Sequence, residues 1–147
     1  MTTRREVIEE ARTWLGTAFG HQQAIKGVQV DCTNFIARTA EASRALPDVA
    51  FESNYRRSAD GLTMLAILRD YMDFIPDVAD ALPADVIALC DEACKHPDVP
   101  RHLILLTQVE PHWMGIHASE HGVREHRLDN NFKRRIHSVW RLRDLED

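Results

Sequence analysis

Hydrophobic positions along the chain fall into two regimes. In the first, Val7, Ile8, Ala11, Trp14 and Leu15 recur at helical spacing. A Thr3-x-x-Glu6 capping box precedes them and Gly16 supplies a stop. Gly16, Gly20 and Gly27 then punctuate a loop over 16–30. A second helical pattern starts at Cys32, runs through Phe35, Ile36, Thr39 and Ala40, and fades near Leu46 and Pro47. Residues 47–59 are polar and irregular. Asp60 can cap a third helix, in which Leu62, Leu65, Leu68 and Met72 keep the spacing.

In the second regime the period shortens. ADVIALC, HLILLTQV, HWMGIHA, GVREHRL and RIHSVWRL carry apolar runs or alternation, with turn residues between them, and read as strands. In the last of these Ile136, Trp140 and Leu142 share a parity, which predicts one common face. Helices first and strands second predict an α+β arrangement rather than alternating βαβ units. The 147 residues hold no repeat, low-complexity segment or linker, so one domain over 1–147 is expected.

Composition narrows the partners. Hydrophobic content of 44% and charged content of 28% are ordinary for a globular chain. A net charge of −5 gives no argument for nucleic acid or an anionic membrane surface. No run of eighteen apolar residues exists, so no membrane span is expected. The start, MTTRREVIEEARTW, lacks the apolar core and cleavage site of a secretion signal, so synthesis in the cytoplasm is expected. The three cysteines are Cys32, Cys90 and Cys94. An odd count without a signal favours reduced thiols. Cys90 and Cys94 could pair with each other, but two cysteines make a weak zinc signal.

Cys32 is placed unlike the others, at a junction between an extended GVQV segment and a helix start. There the helix dipole and unpaired backbone N–H groups favour a thiolate. The bland alternative is a small buried hydrophobe. A nucleophilic cysteine needs a base brought close by folding. Six of the eight histidines lie beyond residue 100. His102 opens HLILLTQV and His117 closes WMGIHA. On antiparallel neighbouring strands, one imidazole can take the thiol proton while the second orients the first. His112, His126 and His137 read as surface or strand-end residues. His117-Ala-Ser-Glu120-His121 also spells the inverted zinc-peptidase signature. That chemistry needs a sustained helix, whereas Gly115 and Gly122 on either side favour strands joined by a turn. Lys133-Arg134-Arg135 reads as a solvated turn before the last strand.

In order along the chain, ARTWLGTAFGHQ, KGVQVDCTNFIARTA, LPADVIAL, RHLILLT and GIHASEHGVREHRLDNNFKRRIHSVWRL resemble the NlpC-type cell-wall cysteine peptidases, a papain-like group. The likeness is strongest to the small branch found in phage tails and gene-transfer particles, and it covers about Val7 to Leu142. It implies a papain-like α+β fold, with the nucleophile opening the central helix and a C-terminal antiparallel sheet beneath. It implies Cys32 as nucleophile after Asp31, His102 as base and His117 as the third polar residue. It also implies hydrolysis of an amide in the peptide stem of peptidoglycan, without cofactor or metal. Carriage on a tail-like particle, or export by a delivery machine, would make tail or delivery-complex proteins possible partners.

Some positions depart from the family pattern. Gly16-Thr17-Ala18-Phe19 stands where the family has Gly-Thr-Pro-Tyr, whose hydroxyl helps position substrate or the oxyanion. The residues around that function are therefore Phe19 itself, His21 and Gln22 in the same loop, Thr33, and Asp31, which is expected to cap the helix. Asn34 and Phe35 follow where Gly and Leu are usual, and Pro83-Ala84-Asp85 replaces Pro-Gly-Asp. These changes motivate a second reading, a catalytically degenerate structural or adaptor module of a tail or delivery complex. The zinc peptidase is a third.

Overall fold

Helix α1 (Arg4–Arg12) begins as its capping box predicts: the Thr3 hydroxyl accepts from the Glu6 N–H at 3.1 Å, and the Glu6 carboxylate accepts from the Thr3 N–H at 2.8 Å. The structure, a computed structural model, describes residues 1–46 and 61–147. The irregular stretch 47–59 and the cap expected at Asp60 lie outside the described residues. Residues 16–30 form a small sheet of β1 (Ala18–Phe19), β2 (Ala24–Ile25) and β3 (Gln29–Val30), in the order β1-β3-β2. Each strand has two residues, too few for an alternation to register in the sequence, hence the expectation of a plain loop. Helix α2 (Cys32–Ala42) follows, and α3 (Gly61–Tyr71) runs directly into β4 (Met72–Ile75). Met72 therefore leaves the helix: it pairs with Leu142 of β9 (Ile136–Leu142) instead.

The remaining strands are β5 (Val86–Leu89), β6 (His102–Gln108), β7 (Met114–Ser119) and β8 (Gly122–Arg127), with the short helix α4 (Asn130–Lys133) before β9. They form a six-stranded sheet in the order β4-β9-β5-β6-β7-β8, antiparallel throughout. Alternation gives it two apolar faces. Leu103, Leu105, Ile116, Ala118 and Val123 pack against α1 and α2 through Val7, Ile8, Phe35 and Ile36. Ile87, Leu89, Ile104, Leu106, Leu128 and Val139 form a second cluster, flanked by Phe132 and Trp113.

The face expected from Ile136, Trp140 and Leu142 is split. Ala88 faces Ser138 but Leu89 faces Ile136, so His137 is the extra residue of a bulge. An extra residue reverses the parity beyond it. Ile136 consequently packs with the second cluster, while Trp140 and Leu142 stay with the first.

Two further features tie the sheet. Asp85, with no exposed side-chain surface, accepts from Arg141 at 2.8 and 2.9 Å and from Arg4 at 3.2 Å. Ala84 just before it has φ +73°, the left-handed region that glycine occupies without strain. Cys90 and Cys94 are joined in a disulfide, where reduced thiols were expected. The turn after β5 brings their Cα atoms to 5.4 Å, within bonding range, and a count of cysteines carries no information on such proximity. Cys32 is the free cysteine among the described residues.

Candidate active site

Asp31 starts the site. Its Oδ1 accepts from the Asn34 N–H at 2.8 Å, capping α2, and its Oδ2 accepts from the Gln22 N–H at 2.7 Å. One buried carboxylate thus fixes both the helix start and the preceding loop, where Gln22 holds φ +58°. Asn34 is fully buried within α2 and takes no part in the cleft wall, so it does not crowd the space beside Cys32.

Cys32 is the first helical residue and is partly exposed. The Leu103 backbone N–H donates to its sulfur, which places the thiol against the start of β6. Burial pushes the thiol up to about 11, and the Asp31 charge pushes the same way. The Leu103 N–H and Thr33 oppose this without winning. The helix start was expected to favour a thiolate; in the folded chain burial and the Asp31 charge push toward the neutral thiol.

The histidines come together through sheet register. Leu106 faces Gly115, Gly115 faces His126, and His117 faces Arg124. His102, His117 and His126 therefore sit on one face of β6, β7 and β8 as successive diagonal neighbours, within reach of one another. His102 Nε2 lies 2.6 Å from His117 Nδ1, and His117 Nε2 lies 2.7 Å from His126 Nε2. The row ends at the Arg127 carbonyl, 2.8 Å from His126 Nδ1. Burial pushes His102 down to about 3, helped by the His117, Arg135 and His126 charges. Burial, then His126 and Arg135, push His117 down to about 4. Near neutral pH both are uncharged imidazoles.

His126 is the residue that sequence reasoning missed, having been assigned to a strand end. The signal was the tight reversal at Glu120-His121: with two turn residues, the hairpin register follows, and it carries His126 to within one diagonal step of His117. The same hairpin disposes of the zinc signature. His117 is on β7 and His121 in the following turn, so HASEH is not a helix and the two rings are not held in helical register. His112 and His137 stay apart: the His112 carbonyl accepts from Gln108, and His137 Nε2 faces the Asp98 carbonyl at 3.0 Å.

These groups line a cleft of about 720 Å³. Phe19, His21, Asp31, Cys32, Thr33, His102, His117 and His126 all contribute to its wall; Gln22 does not. Phe19 is positioned by backbone bonds to β8: Gly16 N–H to Val123 O at 3.0 Å and Val123 N–H to Thr17 O at 2.8 Å. Gly122, at φ +89°, permits that approach, because a Cβ there would stand 2.8 Å from Thr17 O. Acidic Asp91, Glu92 and Glu120 and basic Arg101, Arg124 and Arg135 share the rim. Arg135 is thus not part of a solvated turn as expected; its Nη2 donates to the Cys90 carbonyl at 3.0 Å and the side chain faces the cleft.

The fold has counterparts among solved structures. No family model and no curated protein matches the chain. NlpC1 from Trichomonas vaginalis superposes with a TM-score of 0.62 at 17% identity, over 95% of this chain and 43% of that one. NlpC2 from the same organism superposes with a TM-score of 0.62 at 18% identity, over 95% of this chain and 45% of that one. This chain spans less than half the length of either. At such identity the likeness is one of fold, and the chain has the mixed α+β, papain-like fold of the NlpC structures.

Proposed function

We propose that this chain is a thiol hydrolase of the NlpC type that cuts an amide bond in the peptide stem of peptidoglycan. The observation that carries the reading is the convergence in one cleft of Cys32, at the helix start against β6, with the bonded pair His102–His117. His102 uses Nε2 toward His117, which leaves Nδ1 for the thiol. Both partners rest neutral, so His102 takes the thiol proton as Sγ attacks the carbonyl. The backbone N–H of Cys32 and a second donor hold the oxyanion. Phe19 has no hydroxyl to offer there, and His21, in the same wall, is the candidate donor. Collapse to a thioester expels the amine, which His102 protonates. Water, activated by His102, then releases the acid. His117 keeps His102 oriented throughout. Carriage on a tail-like particle, or export by a delivery machine, rests on the sequence resemblance to the tail branch.

The test uses purified protein and Cys32→Ala with peptidoglycan of several wall types, with and without a strong chelator. Mass spectrometry of the soluble fragments reads the bond cut. New stem-peptide amines with the native chain, none with Cys32→Ala, and no effect of chelator are expected. Cutting that survives Cys32→Ala or stops with chelator would overturn the thiol mechanism. No cutting of any wall would favour the adaptor reading.

A further inference from the structure

We infer that His126, held by the Arg127 carbonyl, is a positioning residue that sets the proton arrangement of the whole histidine row and so leaves Nδ1 of His102 unprotonated. Only the use of that nitrogen as the base for Cys32 rests on the function proposed above.

The closed end of the row fixes the first proton. A carbonyl oxygen only accepts, so His126 Nδ1, 2.8 Å from Arg127 O, must carry a hydrogen. In the neutral form of the row that is the one N–H of His126, which leaves its Nε2 as an acceptor. His117 Nε2, 2.7 Å away, must then donate, and its Nδ1 is bare. His102 Nε2, 2.6 Å from that Nδ1, must donate in turn. The remaining nitrogen, His102 Nδ1, is bare. At these separations two lone pairs or two N–H groups cannot face each other, so each assignment forces the next. The opposite arrangement would set a lone pair of His126 against those of the Arg127 carbonyl. Burial and the nearby Arg135 charge keep His102 and His117 neutral, which preserves the chain of assignments. His126 is held for this task by Phe132, whose ring centroid is 5.1 Å from its own, and it faces Gly115, which presents no side chain.

The experiment is two-bond ¹H–¹⁵N correlation of the imidazole nitrogens in ¹⁵N-labelled protein at mildly alkaline pH. The native chain should show His102 and His117 as Nε2–H tautomers and His126 as the Nδ1–H tautomer. His126→Phe should turn His102 into a tautomer mixture and lower kcat about ten- to a hundredfold with KM little changed. His126→Gln, whose carbonyl oxygen can accept from His117 Nε2–H, should restore both. A native His126 in the Nε2–H form would overturn the inference, as would an unchanged His102 spectrum in His126→Phe. Should that variant fail to fold, the native spectrum and His126→Gln decide. The expected tautomers in a chain that cuts no wall would support the positioning role and count against the hydrolase reading alone.

Discussion

His102 Nε2 lies 2.6 Å from His117 Nδ1 although the residues are 15 apart in sequence, because adjacent antiparallel strands set them diagonally on one face. If His117 orients the base, His117→Ala should lower kcat by about a hundredfold or more while the far-UV spectrum stays native. His117→Asn, able to accept from His102 Nε2–H, should retain more activity than the alanine variant. Stem-peptide cleavage rates compare the two.

The neutral resting pair predicts slow chemistry at the thiol in the absence of substrate. With Cys32 pushed up to about 11, its iodoacetamide reaction at neutral pH should run about a hundredfold or more below that of an ordinary thiol. The rate should climb as pH rises toward 11. A fast plateau at neutral pH would instead reveal a thiolate–imidazolium pair.

Burial of neutral histidines makes the fold acid-sensitive. Unfolded, His102 and His117 take a proton below about 6.5; folded, they do so only near 3 and 4. Between those values the unfolded chain binds more protons, so this stability is present above 6.5 and is lost as pH falls through 4 and 3. Unfolding free energies from urea titration should fall from pH 7 to pH 4, by at most about 1.4 kcal/mol per pH unit for each histidine. His117→Asn should fall less steeply.

Asp85 anchors Arg4 of α1 and Arg141 of β9 from a site with no exposed side-chain surface. Asp85→Ala would leave two guanidinium groups facing each other without their carboxylate. Urea denaturation should show a loss of about 3–5 kcal/mol. Asp85→Asn, which keeps a hydrogen-bond acceptor, should lose less.

Gly122→Ala places a Cβ 2.8 Å from Thr17 O at φ +89°. A destabilisation of more than about 1 kcal/mol is expected. Since Thr17 precedes Phe19 in the cleft wall, KM should rise as well, which steady-state kinetics would show. Gly16→Ala, also at positive φ but with open space around its Cβ position, should carry the backbone strain without the collision.

Much was legible before folding was considered. Thr3 and Glu6, Asp31 and the apolar rows of α1 and α2 act within a few residues of one another, so the sequence alone determined those helices and where they start. Alternation likewise marked β5 to β9, and their order along the chain set the α+β class. Cys32 and His102 could be singled out because each opens a recognisable element, and His117 because it lies in the strand that follows. Other properties depend on sums over distant neighbours. Cys32 looked like a thiolate from its helix start, but desolvation in the folded chain and the Asp31 charge push its thiol up. His126 looked peripheral until hairpin register brought it to His117. One extra residue at His137 moved Ile136 to the other face, and one turn after β5 joined Cys90 to Cys94. Local spacing encodes where elements begin and which way they face; only the tertiary structure fixes register and burial, and with them which side chains meet in the site and which are desolvated.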